Sequence, residues 1–289
     1  MAVYNMEKKY KLTEETINAE GRTLHRIEAL KDFGNVKKGD KGGFIEKEEN
    51  LSQSGDCWVY DDAMVCGKAM VYGNAKVFED ARIYGKARVL DNAKVLGNAK
   101  VFGNALVCEN AKIYDNVKVC GNVEVYGNAK VYDDALVCDD AQVYGYAWVC
   151  GDARVYGNAR VYDNATISSN ANVCENAMVR GKANVYSHAD IRGDAEITAD
   201  TDYIVFKNWW SSGRFFTWTR SNNMWSVGCF YGTSNELIEK AYKDSKLSGN
   251  EYKRIVDYVN SILNVNEYDN IRKNIKERVL SKIRKLFGK

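Results

Sequence analysis

Between residues 57 and 201 a six-residue unit repeats without an insertion, and nothing else in the chain constrains its fold as tightly. Val or Ile falls at every sixth position from Val59 to Ile197, which makes 24 units. Four positions after each comes Ala, as at Ala63, Ala69 and Ala75, with exceptions at Val117, Val123 and Thr201. Side chains alternate along an extended stretch, so in Ala-x-Val-x the Ala and Val share one face and the residues between them share the other. The next two positions hold mostly Gly or an acid, then Asn, Asp or Lys. Gly, Asn and Asp tolerate the dihedrals of a tight corner. Short strands joined by regular corners at a fixed period make a solenoid. A narrow, close-packed interior accepts only small or β-branched side chains, hence the strictness at Val and Ala.

The pattern of an aliphatic residue followed four places later by a small one resembles the bacterial hexapeptide-repeat family. The resemblance implies an all-β solenoid, a left-handed parallel β-helix with three units per triangular coil. About eight coils would then stack at ~4.8 Å. In that family Gly often directly follows the aliphatic residue. Here it sits one place later, as at Gly67 and Gly73, so the corner is expected to differ in detail. The family is commonly trimeric, which implies a homo-oligomer, trimer or dimer.

Residues 1–56 are out of phase with the repeat and read as an N-terminal cap leading into it. They suggest a leading strand, a hairpin containing "TLHRIEAL", and an irregular coil at "KKGDKGGFIEKEENLS". A solenoid needs such a cap, because an open end exposes strand edges and core. The string "LHRIEALKDFGNVKKGDKGGFIEKEENLS" is similar to the opening of uncharacterised bacterial and phage-borne hexapeptide proteins, a transferase-like one among them. Beyond the array, residues 202–264 read as a small α+β block. Three strands are expected up to residue 232, with turns at "SSG" and "SNN". Two helices follow, "SNELIEKAYKDSK" and "NEYKRIVDYVNSILN", with Ser234 as the cap of the first. The string "VGCFYGTSNELIEKA" resembles tails of phage and prophage proteins of unknown activity. Residues 265–289 have Ile271, Ile275, Val279, Ile283 and Phe287 at helical spacing among Lys and Arg, the pattern of a basic amphipathic helix.

With 39 acidic and 41 basic residues, net charge exerts no general pull toward nucleic acid or membrane. No apolar run approaches the ~20 residues of a membrane span. The N-terminus lacks the apolar middle of a signal peptide, so a cytoplasmic location is expected, the host's if the chain is phage-borne. Of eight cysteines, six occupy the outward position just after the aliphatic residue: Cys66, Cys108, Cys120, Cys138, Cys150 and Cys174. None has the spacing of a zinc knuckle or redox motif. They read as inert members of outward ladders, with Cys120 and Cys138, one coil apart, the pair placed to bridge.

The chain has two histidines, His25 and His188. A γ-type carbonic anhydrase of this family holds zinc with three, so that activity would need other ligands in place of His and no metal site is expected. Acyltransferases of the family use a His as general base and usually carry loops that interrupt the coils. This array has no interruption, His188 sits at a corner and His25 in a capping strand. Neither a Gly-x-Ser-x-Gly elbow nor a phosphate-binding Gly-rich loop is present. The leading expectation is therefore a non-catalytic protein without a cofactor. It would display a rigid surface to a protein partner or to itself, and a phage-borne version would bind a host protein such as a defence factor. The contact residues expected are Trp209, Trp210, Arg214, Phe215, Trp218 and Trp225, a dense aromatic cluster.

A second expectation is an acyl-CoA-dependent acyltransferase with His188 or His25 as base. A third is nucleic-acid or nucleotide binding by basic, aromatic faces. With an 18-residue coil, Lys76, Lys94, Lys112 and Lys130 stack beside Phe78, Leu96, Tyr114 and Tyr132. Arg82, Lys100 and Lys118 stack beside Tyr84, Phe102 and Cys120, and Tyr126, Tyr144 and Tyr162 form a third column. Against this stands the plainer reading that such ladders serve stability alone.

Overall fold

The computed structural model describes residues 7–19, 21–210 and 213–263. The basic amphipathic helix expected over 265–289 lies outside them. The chain divides into two compact units: Met1–Asn222 with Ser226–Cys229, and Asn223–Trp225 with Phe230–Lys289.

The array is a parallel β-solenoid. Its 24 two-residue strands run from Trp58–Val59 to Glu196–Ile197 and fall into three sheets. Each strand pairs with the one 18 residues on, as in Lys94↔Lys112, Lys100↔Lys118 and Glu124↔Gln142. The Val/Ile and Ala positions all point inward and are buried, so a single column of small side chains fills the tube. Backbone groups are satisfied coil to coil. Lys94 N donates to Ala111 O and Leu96 N to Ile113 O, both at 2.9 Å.

The corners show why the repeat alternates Gly with acids. The first corner residue takes a left-handed backbone from Asp61 (φ 51°) through Gly97 (φ 74°) to Gly193 (φ 66°). Gly adopts this freely, and Asp and Glu at a cost. The acids offset that cost with a hydrogen bond to the next coil. Asp91 Oδ2 accepts from Glu109 N at 3.1 Å, and Asp133 Oδ2 from Gly151 N at 2.9 Å. The second corner residue adds amide ladders, Asn74 to Asn92 (3.1 Å) to Asn110 (3.3 Å).

At the N-terminal end, strands Tyr10–Ala19 and Arg22–Ala29 form an antiparallel hairpin. Lys41–Ile45 pairs antiparallel with the hairpin and parallel with Met64–Val65, and Leu51 bridges in parallel to Val71. The glycine-rich segment is thus a further, irregular coil, so the solenoid has about nine turns where the repeat alone implied eight. Trp58 plugs this end, with Tyr10 and Phe33 edge-on at 6.1 and 5.3 Å.

After the last coil, Tyr203–Lys207 and Phe215–Thr219 form an antiparallel ribbon. Tyr203 donates its hydroxyl to Asn184 O (2.9 Å) and accepts from Tyr186 N (3.3 Å), while Thr217 Oγ1 accepts from Asp190 N (2.9 Å). Backbone groups that a further coil would have bonded are satisfied in this way. The third expected strand is two, Met224–Val227 and Phe230–Gly232, because Gly228 turns the chain between them at φ 58°. In the small second unit, the first helix is Ser234–Asp244 and the second is described from 246 to 263. The cap is Thr233 rather than Ser234. Its hydroxyl accepts from Glu236 N, and the Glu236 carboxylate accepts from Thr233 N at 2.8 Å. Ser234 instead accepts from Trp225 Nε1 at 3.0 Å. No described helix is long and apolar enough to cross a membrane.

Candidate functional site

The outward columns form as the 18-residue coil requires. Lys76, Lys94, Lys112 and Lys130 sit in register on one sheet, and Arg82, Lys100 and Lys118 on another. Aromatic columns stack face to face: Tyr84 on Phe102 at 4.8 Å, Tyr114 on Tyr132 at 5.0 Å, and Tyr126, Tyr144 and Tyr162 at 4.8 and 4.9 Å. The lysine column is bracketed by the exposed corner carboxylates Glu79, Asp91, Glu109, Asp115 and Asp133. Positive charge on this face is therefore largely cancelled within a Debye length.

The eight cysteines are free thiols: Cys66, Cys108, Cys120, Cys138 and Cys150 are half-buried in the columns, Cys57 and Cys174 are buried and Cys229 is exposed. Cys120 and Cys138 lie close enough for a thiol hydrogen bond and are not bridged. Burial, helped by Asp139, pushes the Cys138 thiol up to about 11, so little thiolate forms at neutral pH. Among the described residues no group of three or more His, Cys, Asp or Glu side chains is arranged to hold a metal ion.

The two histidines differ. His25 is half-buried in the hairpin, its Nδ1 3.1 Å from Thr13 O, and serves the cap. His188 is exposed and stands at the end of a corner column otherwise held by Asp62, Asp80, Asn98, Asn116, Asp134, Asp152 and Asn170. Its ring lies flat on Phe215 of the ribbon, with centroids 3.9 Å apart and planes 4° from parallel. No hydrogen bond occupies its nitrogens among the described residues. Next to it opens a cleft of about 440 Å³ lined by Tyr186, Ser187, Asp200, Tyr203, Lys207 and Phe215. The Lys207 ammonium lies 5.7 Å from the Phe215 centroid.

The expected aromatic contact set separates. Trp218 (2% exposed) and Trp225 (0%) are buried and offer no surface to a partner. Their strands are covered on both faces, residues 216–219 and 225–227 being buried throughout. Trp209 is 82% exposed, Trp210 and Phe215 are half-buried, and Arg214 is exposed.

The YdcK Beta solenoid repeat family matches residues 153–169. The array is a hexapeptide-repeat β-solenoid. An Escherichia coli (strain K12) protein named "Uncharacterized acetyltransferase YdcK" is 39% identical over 62 residues. That stretch is 19% of this chain and 19% of the relative, so the chain matches about a fifth of that protein's length.

On a hexapeptide-repeat solenoid the outward columns are also a reading frame for exceptions. At the corner before the lysine face the column runs Asn74, Asn92, Asn110, Asn128, then Tyr146, then Asn164. The lysine column itself ends in Trp148, followed by Thr166 and Asn184. Reading the sequence unit by unit missed both aromatics. Writing it in rows of 18 would have exposed them.

Proposed function

We propose that the protein is an acyltransferase in which His188 is the general base beside the cleft at Phe215. One observation carries the reading. His188 replaces an Asn or Asp in its column, is held by stacking on Phe215, and keeps both nitrogens unbonded at the edge of a cleft. The reaction class is supported by the relative named an acetyltransferase. In the step, a neutral His188 nitrogen takes the proton of an acceptor hydroxyl or amine. The acceptor's lone pair forms a bond to the carbonyl carbon of an acyl-CoA thioester, and the C–S bond breaks. The thiolate leaves and recovers the proton from the imidazolium. Lys207 is the cation placed to attract the donor's phosphates.

The test is acetyl-CoA turnover over a panel of small amines and alcohols. His188→Asn returns the column residue, so folding is preserved while activity is expected to fall roughly 10²–10⁴-fold. Wild-type protein that neither turns over acetyl-CoA nor gains thermal stability from coenzyme A would remove the proposal.

A second reading, a rigid surface presenting aromatic residues to a protein partner, is favoured by the exposure of Trp209 alone. Under it, Trp209→Ala abolishes capture of the partner and leaves acetyl-CoA turnover untouched.

A further inference from the structure

Two exposed aromatic side chains interrupt two different ladders at one place on the solenoid. Tyr146 (61% exposed) stands where the Asn column should continue, and Trp148 (42% exposed) where a lysine should. Both point outward on either side of the buried Ala147, so their rings project from the same side of the chain. An exposed Tyr and Trp side by side forgo the amide and ammonium chemistry of their columns and leave apolar surface in water. Two large exposed aromatics that break an Asn column and a Lys column at one place point to a ligand.

The surroundings say which ligand. The two rings floor a cleft of about 470 Å³ whose other walls are Asn128, Lys130, Asn164 and Thr166. Register places Asn128 and Lys130 one coil to one side of the rings and Asn164 and Thr166 one coil to the other. Apolar ring surface is thus bordered by amides and a hydroxyl at a spacing of ~4.8 Å in both directions. No carboxylate lines the cleft. Its cation, Lys130, is turned over the Trp148 ring, with Nζ 4.6 Å from the centroid. Tyr132 meets the same ring edge-on at 6.4 Å. A polyanion would find this ammonium engaged and the lysine column behind it bracketed by corner acids.

We infer that Tyr146 and Trp148 form a binding platform for a neutral saccharide, one sugar ring lying on the aromatic floor and its hydroxyls bonded by Asn128, Asn164 and Thr166. A sugar ring has an apolar C–H face that suits an aromatic ring, and equatorial hydroxyls that both donate and accept, as amides and a Thr hydroxyl require. The platform lies two coils from the His188 corner on the same sheet, and the inference stands without the transferase reading.

The test uses the full chain and a panel of neutral hexose and N-acetylhexosamine oligosaccharides at millimolar concentration. Binding is read by tryptophan fluorescence and by amide chemical shifts. The variants are Tyr146→Asn and Trp148→Lys, each returning its column's own residue, with Trp209→Ala as control. At least one neutral oligosaccharide is expected to bind and to shift the amides of Asn128, Asn164 and Thr166. Each column variant should weaken it about tenfold or more, and Trp209→Ala should leave it unchanged. No binding across the panel overturns the inference, as does binding that survives both column variants. Two further results also overturn it: preferential binding of a single-stranded oligonucleotide with a steep loss on adding salt, or self-association that depends on Trp148. Saccharide binding that persists in His188→Asn separates the platform from catalysis.

Discussion

The coil carrying Lys112 and the coil carrying Trp148 lie two steps apart on the same sheet, with the same backbone register and an equally buried aliphatic interior. They differ on the outside, where an exposed Lys is replaced by an exposed Trp and an Asn corner by Tyr146. The comparison teaches that the two surfaces of the tube carry different information. The inward positions are held to small aliphatic side chains by close packing in every coil. The outward ones are only loosely constrained by laddering, so a departure there reflects something other than the fold.

The comparison breaks most visibly if an inward and an outward change cost the same. Val131→Asp puts an unpaired carboxylate into the sealed tube and should cost at least about 3–5 kcal/mol, seen as loss of the cooperative melt. Lys112→Gln, on the exterior of the same sheet, should stay within about 0.5 kcal/mol by the same measurement. Equal melting temperatures would mean that the interior is not close-packed.

Corners come next. A Cβ on Gly97 would sit 2.7 Å from Asp115 N, and its φ of 74° is barred to β-branched residues. Gly97→Val should therefore cost about 2–3 kcal/mol in denaturant titration. Asp115→Gly, at the equivalent corner one coil on, should cost under about 1 kcal/mol, the loss of its bond to Asp133 N at 3.2 Å.

At the C-terminal end, Tyr203→Phe removes the bonds to Asn184 O and Tyr186 N and should cost about 1–2 kcal/mol. Burial holds the Tyr203 hydroxyl up to about 12, against an ordinary value of 10.0. A raised pKa favours the protonated, folded form. Its contribution is complete below pH 10 and is lost as pH rises toward 12. The stability difference between wild type and Tyr203→Phe should shrink over that window, and a constant difference would refute the assignment.

The smallest effect sharpens the comparison most. Tyr146→Asn returns the column's amide beside Asn128 and Asn164 and should stabilise by a few tenths of a kcal/mol, about 0.2–1 at most, in paired thermal melts. A clear destabilisation would make Tyr146 a structural residue and weaken its assignment to a ligand.

Much of this was legible beforehand because period-six strands and an 18-residue coil are local rules. The three columns, the inward Val and Ala and the outward Tyr and Cys all follow from spacing, and the irregular coil near Lys41–Ile45 from its glycine-rich turns. Details set by one residue's contacts did not. Thr233 rather than Ser234 caps the helix because capping depends on where the chain turns, and Gly228 splits a strand that composition alone reads as continuous. Trp218 and Trp225 looked like contact residues because the number of tryptophans says nothing about which strands are covered on both faces.

The repeat by itself determined the tube, since a side chain's direction in a short strand depends only on its position in the unit. Tertiary structure alone decided that His188 meets Phe215, a pairing across 27 positions made by a ribbon whose docking no periodicity encodes. Such contacts depend on the free energy of whole elements settling against one another, which is a property of the assembled surface and of no single stretch of chain.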